Sequence, residues 1–256
     1  VTRWTSRAGR SARRVLGVCA AIVLTAIVAV GYVVLEEWAE PDSAQNGPVS
    51  GELTELLAQV QIAPELPMTG YSREEFPHWE PNRPEYGFGA EFTQYSRCTT
   101  REVMLLRDAV GSVRLDPKTC DLSVGSGGGW QDEYGFLDRE TGELKPYKWM
   151  TDPSGVDAEH IVALAEAWRS GAAAADEGTR RRIANDALNL VASDPSANRS
   201  KGDQDAANYL PPGKFRCTYL DRYLRVKVAY GLTADPVEQM ALRTAVAACV
   251  DPSGLG

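Results

Sequence analysis

Residues 15–35 read VLGVCAAIVLTAIVAVGYVVL without a single charge, and the residues before them hold Arg3, Arg7, Arg10, Arg13 and Arg14 and no acid. As a helix this run extends about 31 Å, matching a hydrocarbon core of about 30 Å. The expectation is a transmembrane signal anchor at residues 15–35 behind a cytoplasmic basic segment, residues 1–14. Arginines stay on the cytoplasmic side, so everything after Glu36 is sent outside. The competing reading is a cleaved signal peptide, for which Ala29, Val30 and Gly31 offer small residues. The apolar run continues to Leu35, however, beyond the roughly 7–15 residues usual in a signal peptide. The chain reads as a single-pass protein of the plasma membrane with an extracellular C-terminal domain, or as a secreted one if the segment is cleaved.

An exported domain folds where thiols oxidise. Cys19 lies in the span, while Cys98, Cys120, Cys217 and Cys249 lie beyond it, an even number. No Cys-x-x-Cys pair exists to hold a structural zinc. Of the possible connectivities, Cys98–Cys120 with Cys217–Cys249 is expected, because each bond closes a local segment. Loops of that length are worth about 3–4 kcal/mol each. Residues 36–50, acidic and rich in Pro, Ser and Gly, read as a linker, and residues 51–256 as the exported domain. Hydrophobic residues at 43% and charged ones at 24% exclude a disordered, collagen-like or polytopic membrane chain. The net charge of −8 is uneven: beyond residue 35, 22 basic side chains face 35 acidic ones. That excludes a general polycation, so any nucleic-acid site has to be a local basic patch.

Local patterns sketch the domain. Leu53, Leu56, Leu57 and Val60 repeat at helical spacing, with Pro64 as the stop. Residues 67–97, with Pro67, Pro77, Pro81 and Pro84, predict ordered irregular structure. Thr99 or Thr100 caps a helix to about Val110, with Val103, Leu106 and Val110 on one face, and Asp116-Pro117 opens a turn. Residues 125–129 form a glycine loop, a hairpin turns at Glu140-Thr141-Gly142, and Asp176 begins a helix. Residues 212–249 predict two helices. Tyr219, Tyr223, Val226 and Tyr230 mark the first, Gly231 stops it, and Asp235-Pro236 starts the second.

Chemistry concentrates between residues 157 and 203. Only His78 and His160 occur, which excludes a histidine-rich metal site. Around His160 the order is Asp157-Ala158-Glu159-His160-Ile161-Val162. In a strand, Asp157 and Glu159 point one way and His160 the other. Further on, Leu188, Leu190 and Ala192 alternate as a strand, Asp194 caps, Pro195 opens and Gly202 closes a short helix. Asn198 and Lys201, three apart, share a helix face. Between Gly178 and Gly231, ten Lys or Arg face five Asp, a local excess of +5 that includes Arg180-Arg181-Arg182.

At these residues the sequence resembles the HNH nuclease family. The matching pattern is an acid, His and Ile-Val (Glu159, His160, Ile161, Val162), then Asn189-Leu190, and Asn-Arg-x-Lys-Gly from Asn198 to Gly202. The likeness is closest to exported bacterial HNH proteins related to the nuclease half of modification-dependent, Gmr-type restriction enzymes. It extends to Gly70-Tyr71-Ser72-Arg73, Cys98-Thr99-Thr100-Arg101-Glu102, Leu106-Arg107-Asp108-Ala109, Ala165-Glu166-Ala167-Trp168 and Tyr209-Leu210-Pro211-Pro212. Two positions depart: many relatives have Asp where Glu159 stands and Pro where Ala163 stands.

The resemblance implies an α+β fold, a ββα-metal (HNH) nuclease core embedded in a mostly helical, disulfide-bonded domain. It implies a phosphodiester hydrolase acting on nucleic acid, DNA ahead of RNA, with one Mg²⁺ or Mn²⁺ ion. His160 is then the general base, Asn189 fixes the loop that presents it, and Arg199 and Lys201 offset phosphate charge. Glu159 and Asn198 are the metal ligands, with Asp157 as an auxiliary one. The alternative is a cell-envelope binding domain that keeps the scaffold without catalysis. No protein partner is inferable. Four other readings are structural: His78 packs, Arg180–Arg182 face solvent, Arg101, Glu102, Arg107 and Asp108 form ion pairs, and Trp130, Trp149 and Trp168 pin core or loops.

Overall fold

A computed structural model describes residues 50–251 apart from Arg139 and Pro146. The expected span, Cys19 and residues 36–49 of the linker lie outside the described residues. Among those described, no helix is long and apolar enough to cross a membrane.

The fold mixes helices with short antiparallel strand pairs. Helix α1 (Ser50–Gln59) buries Leu53, Leu56 and Leu57, with Val60 just beyond it. The proline-rich stretch that follows holds only 3-10 turns at Arg73–Glu75, Pro84–Tyr86 and Ala90–Tyr95. Helix α2 (Thr100–Arg107) starts at a capping box in which the Glu102 carboxylate accepts from the Thr99 N–H at 2.8 Å. It ends earlier than its apolar spacing predicts. Val110 is exposed and bridges to Gly129 instead, so the buried face is Val103, Met104 and Leu105. Strands β1 (Val113–Leu115) and β2 (Leu122–Val124) form a hairpin. Its turn is held by Asp116, whose Oδ1 accepts from the N–H groups of Lys118 and Thr119. Strands β3 (Trp130–Gln131) and β4 (Trp149–Met150) pair, and the hairpin around residue 141 lies between them with a Leu137–Leu144 bridge.

Strand β5 (Asp157–His160) pairs antiparallel with β6 (Leu190–Ser193), and the short helix α5 (Pro195–Lys201) follows. Between the strands lie α3 (Leu164–Arg169) and α4 (Glu177–Asn185). Helices α6 (Arg216–Tyr230) and α7 (Pro236–Val250) close the domain. Gly231, at φ 61°, takes the left-handed conformation that ends α6, and Asp235 caps α7 through the N–H groups of Val237 and Glu238. Disulfides join Cys98 to Cys120 and Cys217 to Cys249, as expected; the second ties the start of α6 to the end of α7.

The β5–β6 pair sits between two apolar clusters. One gathers Leu53, Trp168, Tyr219, Tyr223 and Leu242 with Ile161 and Val191; the other gathers Tyr86, Met104, Leu105 and Trp130 with Leu190 and Ala192. Every residue of β6 is therefore buried. The expected alternation starting at Leu188 does not hold, because Leu188 is exposed in the turn before the strand. A strand covered on both faces reads as a continuous apolar run.

Several polar side chains fix this pair in place. Arg107 donates to the carbonyls of Ala187 and Leu190, and Asp108 accepts from the Ala192 N–H. Arg101 donates to the carbonyls of Pro153 and Val156, ahead of β5. Of the four charges expected to pair along α2, only Arg107 and Asp108 bond to each other; Arg101 and Glu102 serve backbone instead.

Candidate active site

Pairing β5 with β6 sets Asp157 opposite Ser193, Glu159 opposite Val191 and His160 opposite Leu190. Helix α5 is started by Asp194, which accepts from the Ser196 N–H, with Pro195 first in the helix and Gly202 ending it. It brings Asn198 and Lys201 against the acidic face of β5. Asn198 Nδ2 donates to Asp157 Oδ2 at 3.0 Å, and Lys201 Nζ donates to Glu159 Oε1 at 2.7 Å. A cleft of about 370 Å³ opens beside them, lined among others by Tyr71, Arg73, Glu159, His160, Asn198 and Arg199.

His160 leaves β5 from the other face. Its Nε2 lies 3.0 Å from the carbonyl of Ala184, at the end of α4. A carbonyl only accepts, so Nε2 carries the proton and Nδ1 is an acceptor. Burial above all pushes this imidazole down to about 3, the Ala184 bond working against the shift and the Arg73 and Lys201 charges adding to it. His160 is therefore neutral. The ring stacks on Trp79 with centroids 5.9 Å apart, and Trp79 itself has φ 60°, the left-handed region a tryptophan rarely enters. Asn189 holds the chain just past the histidine. Its Oδ1 accepts from the Val162 N–H at 2.8 Å, while its Nδ2 donates to the carbonyls of Val162 and Ile183.

Glu159 is buried and raised by that burial, with Lys201 opposing the rise. Lys201 is fully buried. An ammonium in this position is spent on Glu159 rather than offered to a phosphate, which departs from the role its motif implies. Arg199 is exposed and donates only to Ser196 Oγ among the described residues. Asp157 does not line the cleft. It accepts from the amide nitrogen of Asn198, which leaves Asn198 Oδ1 as an acceptor or ligand atom. Glu159 and Asn198 thus supply a carboxylate and an amide oxygen to one cleft. That set suits a hard cation such as Mg²⁺, which takes one or two carboxylates and keeps waters. The only three His, Cys, Asp or Glu side chains among the described residues with ligand atoms within 4.8 Å of one another are Glu65, Asp205 and Asp235, outside this cleft.

The expected basic patch dissolves into structural pairs. Arg180 bonds Glu75 and lies over the Trp168 ring, and Arg181 bonds Glu177. Lys227 and Lys201 are buried, and Arg222 caps the carbonyls of Ala187, Leu188 and Leu190. A sequence count sees ten charges; most have a partner on another element. Trp130 and Trp168 are buried, while Trp149 is partly exposed with its ring against Gly129 at the end of the glycine loop.

The GmrSD restriction endonuclease family, through its C-terminal domain, matches residues 130–245. A protein of Arthroderma benhamiae described as "Uncharacterized secreted protein" is 34% identical over 207 residues, covering 80% of this chain and 88% of that protein. Residues 130–245 are thus similar to the GmrSD C-terminal domain. The domain is thereby nuclease-related, and β5, β6, α5 and His160 all fall within the matched residues. No solved structure matches it. Three residues at the site lie outside the family match: Tyr71, Arg73 and Trp79. Tyr71 and Arg73 belong to a segment whose likeness was legible in sequence, but nothing local tied it to His160. Trp79 carried no signal at all.

Proposed function

We propose that this domain is an HNH-type endonuclease that hydrolyses phosphodiester bonds of DNA, with His160 as general base and one Mg²⁺ or Mn²⁺ ion held by Glu159 and Asn198. The observation that carries this reading is the neutral imidazole held through Nε2, its residue lining the same cleft as Glu159 and Asn198. His160 takes a proton from water, whose oxygen bonds to phosphorus while the bond to the 3′ oxygen breaks. A 5′-phosphate and a 3′-hydroxyl result, the latter reprotonated from solvent. When bound, the ion supplies Lewis-acid stabilisation of charge on the leaving oxygen. Asp157 orients Asn198, Lys201 favours the ionised form of Glu159, and Asn189 fixes the backbone behind the base.

Export is supported by the two disulfides and by the relative described as secreted. The charge-free run at residues 15–35 supplies the single-pass anchor of this proposal.

The test is plasmid cleavage by the purified protein with Mg²⁺ or Mn²⁺, abolished by chelator. His160→Ala is expected to keep Mn²⁺ affinity, measured by calorimetry, while cleavage falls on the order of 10²–10⁴-fold. Asn198→Ala should weaken Mn²⁺ binding and regain part of its activity at high Mn²⁺. A His160→Ala protein that cuts at the unmodified rate refutes the mechanism. No cutting by the unmodified protein favours the non-catalytic envelope domain.

A further inference from the structure

Of the arginines near the cleft, Arg199 bonds only Ser196 among the described residues, on its own short helix, and others have structural work. Arg169 pairs with Glu65, Glu166 and Asp203, and Arg180 with Glu75. Arg73 is different. It is exposed, it lines the cleft with Glu159, His160, Asn198 and Arg199, and among the described residues its side chain makes no hydrogen bond or ion pair. The 3-10 turn Arg73–Glu75 carries it. On either side, Tyr71 packs edge-on against Trp168 and Phe76 is fully buried, so the segment is anchored while the guanidinium is left over. The neighbouring acids are committed elsewhere or turned to solvent. Glu75 bonds Arg180, Asp203 bonds Arg169, and Glu74 is exposed.

A cleft for phosphodiester hydrolysis needs a cation that can meet the nonbridging oxygens. Lys201 cannot: its Nζ is buried on Glu159. We propose that Arg73, contributed from outside the family-matched residues, is the cation that grips the scissile phosphate of a DNA strand in this cleft. This rests on the nuclease reading above. A guanidinium presents a planar fork that takes two phosphate oxygens at once, which a lysine ammonium does not. With no side-chain partner among the described residues, Arg73 meets an incoming phosphate without breaking a pair there.

The experiment compares the unmodified protein with Arg73→Ala, Arg73→Lys and a control, Arg83→Ala, whose residue is surface-exposed beside Glu85. Binding of a short DNA duplex is followed by fluorescence anisotropy in chelator from 50 to 300 mM KCl, and cleavage is then measured with Mn²⁺. Losing one phosphate contact should flatten the slope of log affinity against log salt by about 0.9 in Arg73→Ala. Cleavage should fall on the order of 10²–10³-fold in kcat. Arg73→Lys should keep the salt slope yet remain well below the unmodified kcat, because charge returns without the fork. Arg83→Ala should match the unmodified protein in both. Unchanged slope and unchanged kcat in Arg73→Ala, in a protein that His160→Ala inactivates, overturn the assignment and leave the nuclease reading standing. An Arg73→Ala protein that melts many degrees lower also overturns it, since the role is then structural. An unmodified protein that neither binds nor cuts DNA overturns both.

Discussion

Glu159 and Lys201 illustrate how a single contact redefines a residue. From the motif alone Lys201 is a phosphate-facing cation; in the fold its ammonium is fully buried and donates to Glu159 at 2.7 Å. Nothing near residue 201 in the chain reveals this, because its partner lies on a strand more than forty residues earlier. A buried pair of this kind is costly to break, since removing one charge strands the other. Lys201→Met is expected to destabilise the protein by about 3–5 kcal/mol in urea denaturation. Mn²⁺ should recover part of that loss in the variant and have a smaller effect on the unmodified protein, because a metal ion can replace the missing positive charge beside Glu159. Equal stabilisation of both proteins by Mn²⁺ would sink the idea that Glu159 is the ligand.

The elements around the site divide into those written locally and those written by their neighbours. Asp194, Pro195 and Gly202 announce α5, and Asp235-Pro236 announces α7, because caps act within one turn and need no tertiary partner. The start of β6 is not legible in this way. Leu188 continues an alternating pattern yet stays outside, while Leu190, Val191, Ala192 and Ser193 are all buried between two apolar clusters. In sequence the arginine-rich α4 reads as a charged surface, but its Arg180 crosses to Glu75 and lies over the Trp168 ring. His160, Glu159 and Asn198 are legible from their motif; Arg73 and Trp79 reach them through the proline-rich segment, which has no periodicity to read. Asn189 is where local and distant constraints meet, since one side chain joins the β5–α3 connection to α4. Asn189→Ala leaves a buried Val162 N–H without its partner, and stability should fall by about 1–3 kcal/mol. Cleavage should fall beyond what partial unfolding explains, measured at a temperature where the variant remains fully folded. A destabilised variant of unchanged kcat would limit Asn189 to a structural role.

At the scale of the whole domain, α3, α6 and α7 meet around one buried ammonium. Lys227 Nζ donates to Glu166 Oε1 at 2.9 Å, to Glu238 Oε2 at 2.8 Å and to the Thr233 carbonyl at 2.7 Å, and the Tyr223 hydroxyl donates to Glu238. Burial raises Glu238 to about 7, the attraction of Lys227 only partly opposing it and the nearby Glu166 adding to it. Its ordinary value is 4.5. Between these values the folded protein holds a proton that the unfolded chain releases, so unfolding becomes easier as pH rises. This contribution is complete below about pH 4.5 and is lost as pH rises through about 7, with an upper bound of about 3 kcal/mol. Glu238→Gln has nearly the same shape and no proton to lose. Urea denaturation of both disulfide-intact proteins from pH 4.5 to 8 isolates the effect as the difference between two stability curves. Groups that titrate in both proteins cancel, including His160, whose depressed value gives the opposite slope below about 6.5. The unmodified protein should lose stability relative to the variant across this window, most steeply between pH 5 and 7. Parallel curves would mean that Glu238 remains ionised in the folded state, with Lys227 and Tyr223 compensating its burial in full.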